Sequence, residues 1–121
     1  MAYTRDQDWC GRSFRFTCEL FDYCEELART PGPQRRLANQ LWDAGSAIGA
    51  NLQESKAAYS RRELAAKNAI ALKESRESKY WLSIAKAKCL GNPDVREHLL
   101  DEASQFVAML TTAVKRLQSG Q

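Results

Sequence analysis

The feature that most constrains the fold of this chain is a run of small residues inside a helical pattern. Six of the seven residues at positions 44–50 are Ala, Gly or Ser. An apolar spacing of three or four residues continues through the run, at Leu37, Leu41, Ile48 and Leu52. Because a glycine inside a helix costs about 1 kcal/mol relative to alanine, Gly45 and Gly49 indicate that a neighbouring helix packs close enough to recover that loss. The run predicts helices in tight mutual contact and indicates no reaction.

The length and composition predict a single domain over residues 1–121, with the apolar and charged fractions of an ordinary soluble protein. No apolar run approaches the roughly 20 residues needed to cross a bilayer. The charged N-terminal segment is not followed by the apolar core of a signal peptide. We therefore expect a cytoplasmic protein with no membrane partner.

The cysteine and histidine content argues against a metal site. Cys10, Cys18, Cys24 and Cys89 form no C-x-x-C pair, and His98 is the sole histidine. Zinc sites need closely spaced pairs of such ligands, so we expect no metal and no cofactor. Cys24 and Cys89 fall on apolar helix faces and are predicted to be buried and reduced. A structural disulfide would conflict with a cytoplasmic location.

Three breaks divide the chain into four predicted helices. Prolines and a glycine at 30–33 stop any helix, and Ser60 followed by Glu63 is typical of a capping box. At 91–93, Gly, Asn and Pro combine a helix stop, an N-cap and a first helical residue. The predicted helices cover about 12–29, 34–56, 60–90 and 93–118. Since short connections favour antiparallel neighbours, the sequence predicts an all-α, up-down-up-down four-helix bundle.

Residues spaced three or four apart mark the face of each helix that we expect in the core. On the first helix they are Thr17, Leu20, Phe21, Cys24, Leu27 and Ala28. On the third they are Leu64, Ala71, Ser75, Ser78, Leu82, Ala85 and Cys89, and on the fourth Leu99, Ala103, Phe106, Leu110, Val114 and Leu117.

Two segments carry a resemblance to a known family. Positions 40–54 contain Q-L, A, S, I-G-A-N and E, and positions 71–82 contain A-L-K-E-S, E and K-Y-W-L. In these segments the chain resembles the 23S rRNA intervening-sequence protein family, small bacterial four-helix-bundle proteins. One departure is that Trp42 and Asp43 stand where the family pattern has two arginines. Any ligand that those arginines serve is not expected here.

The resemblance implies a bundle that assembles into a homopentameric ring and has no known enzymatic activity. Related proteins include the accessory variability proteins of diversity-generating retroelements, which are basic pentamers that bind nucleic acid and a reverse transcriptase. The family name reflects genes that sit inside insertions in the large ribosomal RNA. That genomic position is no indication of RNA contact.

Four polar residues of the resembling segments are Asn51, Glu54, Glu74 and Glu77. Their carboxylates suit acid–base chemistry or a hard cation, but no histidine accompanies them and their spacing is that of ordinary helix faces. An interhelical hydrogen-bond network is the alternative. We expect the network, no catalytic residues and therefore no enzyme.

Apolar residues outside the predicted core faces suggest contacts between subunits. They are Trp42, Ile70, Trp81 and Ile84. The alternative is that the two tryptophans cover the edges of the core. The implied oligomer favours an interface.

The positive charge is concentrated on the third helix. Residues 60–91 hold eight basic and three acidic side chains, a net charge of +5. Six cations share an arc of roughly 140° at about 100° per residue, namely Arg61, Arg62, Lys73, Arg76, Lys79 and Lys86. Tyr80 lies in the same arc and can stack on a base. The arc is either a solvated face or a sequence-tolerant nucleic-acid surface.

Together these features favour a non-enzymatic, homo-oligomeric binding or scaffold protein, with RNA, DNA or a nucleoprotein as candidate partner. The alternative is a protein–protein interaction module with no nucleic-acid role.

Overall fold

The computed structural model describes residues 5–119, which fold into four helices and contain no strand. The helices are α1 (Arg5–Ala28), α2 (Pro33–Lys56), α3 (Arg61–Ala87) and α4 (Pro93–Gln118). Each helix packs closely on the next in the chain, and α4 closes the bundle by a looser contact with α1. The predicted all-α four-helix class is confirmed. The main difference in helix bounds is that α1 begins earlier than predicted.

Local signals set the starts of α3 and α4 as the sequence predicts. The Ser60 hydroxyl accepts a hydrogen bond from the Glu63 N–H at 3.0 Å, and the Asn92 side chain accepts one from the Val95 N–H at 3.0 Å. Each side chain satisfies an N–H group that has no partner within the helix. Pro93 then begins α4, where its missing N–H is not needed.

The end of α3 differs from the prediction. The helix stops at Ala87, and Cys89 adopts a left-handed backbone with φ 55°. The Leu90 N–H bonds to the Ala85 carbonyl at 2.9 Å and the Cys89 N–H to the Lys86 carbonyl at 3.1 Å, the paired bonds of a Schellman C-cap. Cys89 is therefore exposed, and its predicted place in the buried face is wrong. Cys24 is buried, as predicted.

The core runs along the centre of the bundle and is mostly aliphatic. Phe16 of α1 and Phe106 of α4 meet edge to face inside it, with ring centroids 5.5 Å apart. On α1, Phe16, Leu20, Tyr23 and Leu27 are buried, whereas Phe21 is 48% exposed. The prediction that Phe21 faces the core is wrong because its side chain points about 100° away from that of Leu20.

The small residues of α2 allow α1 to come close. Gly45 is buried against the Phe16 and Leu20 side chains, and Gly49 faces Ser13 and Thr17. This confirms the close packing predicted from the two glycines. None of the described helices is long and apolar enough to span a membrane.

Candidate interaction surfaces

The basic arc predicted on α3 is a solvent-facing surface. All six of its cations are exposed, and the Tyr80 ring between them is 60% exposed. The helix has three carboxylates, at Glu63, Glu74 and Glu77, and each is half-buried. The charged side chains of α3 that are fully exposed are therefore all positive.

Some of these cations already have partners on α4. Lys86 forms a salt bridge with Glu97 at 3.2 Å, and the Arg61 guanidinium donates to the Arg116 carbonyl at 3.4 Å. The other four make no salt bridge with any described carboxylate: Arg62, Lys73, Arg76 and Lys79. These four extend from α3 into solvent.

The predicted interface residues fall in two separate places. Ile70, Trp81 and Ile84, here called the α3 strip, lie on one side of α3; Ile70 is 41% exposed and the other two are half-buried. The Trp81 indole N–H donates to Glu77 at 3.4 Å. Trp42 instead lies on the α1 side of α2.

A further exposed apolar strip on α1 was missed from the sequence. Phe14, Cys18 and Phe21, here called the α1 strip, are exposed at a spacing of four and three residues; Phe14 is 69% exposed. The Phe21 ring meets the half-buried Trp42 ring edge to face at 5.6 Å, so Trp42 extends this strip. A signal existed, because phenylalanines at positions 14 and 21 share a helix face that does not include Phe16.

The two strips differ in their charged surroundings. Exposed carboxylates flank the α1 strip, at Glu19, Asp22, Glu25 and Glu26. Arg15 is the exposed cation among the described side chains of α1. The α3 strip shares its side of the helix with the half-buried Glu74 and Glu77, and Lys73 is an exposed cation at its edge. The exposed charge of α1 is thus mainly acidic, whereas that of α3 is positive and lies mostly away from the α3 strip.

Among the described residues, no hydrogen bond joins any two of the four residues expected to form an interhelical network. Asn51 donates to the Ala47 carbonyl within α2 at 2.8 Å, and Glu77 accepts from Trp81 within α3. Of the four, Glu54 bridges α2 and α3, through a salt bridge with Lys67 at 2.6 Å. That pair raises the pKa of Lys67, chiefly through the hydrogen bond.

Glu74 lies in an unfavourable environment for a charge. Partial burial raises the pKa of its carboxyl, and the negative charges of Glu77 and Asp43 raise it further against the opposing effect of Lys73. Asp43 occupies the second of the two positions where the family pattern has arginine. An arginine there would lower the pKa of Glu74, so the departure changes the electrostatics between α2 and α3.

The described residues contain no group of three or more His, Cys, Asp or Glu side chains that could hold a metal ion. His98 is exposed, and its Nε2 lies 3.1 Å from the Glu19 carboxylate. Burial raises the pKa of the Cys24 thiol to about 12, which keeps that thiol protonated and unreactive at neutral pH.

Comparisons with known proteins agree with this architecture. No functionally curated protein matches the chain. A crystal structure of a protein of unknown function from the S23 ribosomal protein family, from Bacteroides thetaiotaomicron VPI-5482, is similar with a TM-score of 0.78 and 25% sequence identity. The similarity covers 88% of this chain and 98% of that one. The family described as 23S rRNA-intervening sequence protein matches residues 5–112, and the chain belongs to that family.

Proposed function

We propose that this protein is a homo-oligomeric binding scaffold, assembled as a ring of five, that performs no reaction itself. The observation that carries the proposal is the pair of apolar strips, on α1 and α3, that a single bundle leaves at least partly uncovered. We propose that the α1 strip of one copy packs on the α3 strip of the next. The number five follows from the family resemblance.

The placement of the strips supports a ring over a two-fold dimer. α1 and α3 each contact α2 and α4 but not each other, so they occupy diagonal corners of the bundle. A contact between two different surfaces is heterologous, and it builds a ring when the rotation closes. The acidic surroundings of the α1 strip and the Lys73 cation at the edge of the α3 strip would steer the copies into this pairing and disfavour contacts between two α1 strips.

The experiment for this proposal is native mass spectrometry combined with a charge swap. Reversing Glu25→Lys beside the α1 strip, or Lys73→Glu beside the α3 strip, should shift the protein toward monomer. Combining the two variants should restore the oligomer. The matched control is Asp101→Lys, an exposed carboxylate of α4 outside both strips, which should leave the mass unchanged. A monomeric parent protein would contradict the proposal.

A second candidate function is sequence-tolerant binding of RNA or DNA. It is favoured by the exposed cations of α3 that make no salt bridge with a described carboxylate, with Tyr80 available to stack on a base. Arg61 and Lys86 contact α4, so this part of the basic arc is on the α4 side of α3. Lys67, one turn from Ile70, pairs with Glu54 of α2, so the α3 strip is on the α2 side. Part of the basic arc therefore stays accessible when the α3 strip is covered. In a ring, repeated weak patches would act together.

This second function is tested by measuring the affinity for mixed single-stranded RNA against salt. Each phosphate contact should contribute a slope of about −0.7 in a plot of log affinity against log salt. The double variant Arg76→Glu/Lys79→Glu should abolish binding, whereas Arg36→Glu, an exposed cation of α2, should have little effect. An absence of binding by the parent at low salt would contradict this function and leave a protein partner as the alternative.

A further inference from the structure

A cavity of about 690 Å³ opens at the end of the bundle where the chain passes from α2 to α3. This volume is within the range of small-molecule sites. Apolar side chains from all four helices form much of its wall: Trp9, Leu52, Leu64, Met109, Leu110 and Leu117. The cavity lies apart from both strips and from the Arg76 and Lys79 side of α3, so it does not depend on the proposed function.

The charged residues of this cavity have one sign. Lys56, Arg61 and Arg116 line it, and no carboxylate belongs to the described lining. The Arg61 guanidinium donates a hydrogen bond to the backbone carbonyl of Arg116, which places the Arg61 cation beside α4. Ser60, the N-cap of α3, also lines the cavity, and the N–H groups of a helix start add positive potential. An anionic group would therefore be stabilised at this opening.

Beside the cavity lies a buried polar atom without a described partner. Asn68 Oδ1 is buried and accepts no hydrogen bond from any described residue, although Asn68 lines the cavity. Leaving a buried acceptor without a partner costs about 1–3 kcal/mol. Because this oxygen is shielded from the cavity, it is not a contact for a bound molecule.

We propose that this cavity is a binding site for an amphipathic anion, with an alkyl or aryl body and one carboxylate or sulfonate. The apolar body packs against Leu52, Leu64 and Leu110, and the anionic group lies at the opening near Arg61 and Arg116. An anion should bind more tightly than a cation with the same apolar body. The reason is that three cations line the cavity and none of the described lining residues is a carboxylate.

The test compares three probes that share one alkyl chain, namely dodecanoate, dodecanol and dodecyltrimethylammonium, below their micellar concentrations. Isothermal titration calorimetry should show saturable binding of dodecanoate and affinity for dodecyltrimethylammonium weaker by about tenfold or more, the effect of one lost charged hydrogen bond. Equal affinity for the anionic and cationic probes, or no saturable binding of dodecanoate, would overturn the proposal.

Variants locate the site. Arg116→Ala should weaken dodecanoate binding by about tenfold, whereas its neighbour Lys115→Ala, which does not line the cavity, should not. Leu64→Trp should abolish binding by filling the space. Because that variant can also disturb folding, Asn68→Leu serves as a second filling variant, expected to weaken binding while raising the melting temperature. Unchanged affinity in Arg116→Ala and in a folded filling variant would overturn the proposal.

Discussion

Gly45 of α2 lies so close to Leu20 of α1 that a β-carbon built on Gly45 would overlap the Leu20 Cδ2. Leu20 is fully buried, so moving its side chain would disturb the packing of the core. We expect Gly45→Ala to lower the free energy of unfolding by about 1–2 kcal/mol, because overpacking costs more than the gain in helix propensity. Urea denaturation measures the effect.

Gly49 provides the matched control for this prediction. A β-carbon there would lie 3.2 Å from the Ser13 Oγ, a contact that a small shift relieves. Gly49→Ala should therefore be far less damaging than Gly45→Ala. Equal stability of Gly45→Ala and the parent would show that the glycine is not required for the close approach of α1 and α2.

The left-handed backbone conformation of Cys89, just after α3, leads us to expect that a substitution there stabilises the protein. Cys89 has φ 55°, a conformation that costs a residue with a β-carbon about 1–2 kcal/mol but is free for glycine. Because its side chain is exposed, Cys89→Gly should raise the free energy of unfolding by about 1 kcal/mol. Thermal denaturation of Cys89→Gly checks this. Lys88→Gly, at a residue with φ −94°, should give no such gain, and a Cys89→Gly variant less stable than the parent would contradict the account.

Tyr23 links the core to the turn after α3 and should make the protein sensitive to alkali. Its hydroxyl donates to the Leu90 carbonyl at 2.9 Å, and burial raises the pKa of Tyr23 from 10.0 to about 12. Between these values the unfolded chain loses the phenol proton before the folded protein does. Stability from this group is therefore complete below pH 10 and is lost as the pH rises toward 12.

The variant Tyr23→Phe separates the contribution of the Tyr23 hydrogen bond from that of its ionisation. At pH 8 it should cost about 1 kcal/mol for the lost hydrogen bond, with the Leu90 carbonyl still bonded to Arg96 at 2.8 Å. At pH 11 the difference from the parent should shrink, because phenylalanine has no proton to lose. Urea denaturation at both pH values decides the matter, and a constant difference would refute the prediction.

Glu74 should oppose folding at neutral pH. Since its pKa is raised by partial burial and then by Glu77 and Asp43, the folded protein holds this proton more tightly than the unfolded chain. Its contribution to stability is complete below the ordinary carboxyl pKa and is lost as the pH rises through the raised value. We expect Glu74→Gln to raise the melting temperature at pH 7 and to have little effect at pH 3.

The matched comparison uses Asp43→Asn, which removes one cause of the raised pKa of Glu74. This variant should also raise the melting temperature at pH 7. Glu54→Gln, which removes a largely exposed ion pair with Lys67, should change the melting temperature little. A Glu74→Gln variant less stable than the parent at pH 7 would show that the carboxylate has a favourable partner.

The sequence predicts best what depends on neighbouring residues alone. The caps at Ser60 and Asn92 and the break at 30–33 are local signals, and the structure follows them. Phe21 was misplaced because Leu20 and Phe21 are adjacent and both apolar, and only the packing of α1 against α2 and α4 decides which one is buried. The Glu54–Lys67 pair depends on the register of two helices, which no local pattern specifies.

The exposed phenylalanine of the α1 strip gives a prediction about assembly that is separate from folding. Phe14 is 69% exposed, so it contributes little to the core of a single bundle. Phe14→Ser should leave the helical content of an isolated bundle unchanged. If the strip is covered in an oligomer, the variant should lower the mass observed at a given protein concentration.

The matched comparison for Phe14 is its buried neighbour Phe16, which packs on Phe106. Phe16→Ser should lower the melting temperature strongly, because truncating a buried phenylalanine costs about 3–5 kcal/mol. Analytical ultracentrifugation and thermal denaturation of the two variants separate the role of Phe14 in assembly from the role of Phe16 in folding. A loss of folding in Phe14→Ser, or an unchanged mass alongside a parent that is oligomeric, would mean that the α1 strip is not the surface where copies meet.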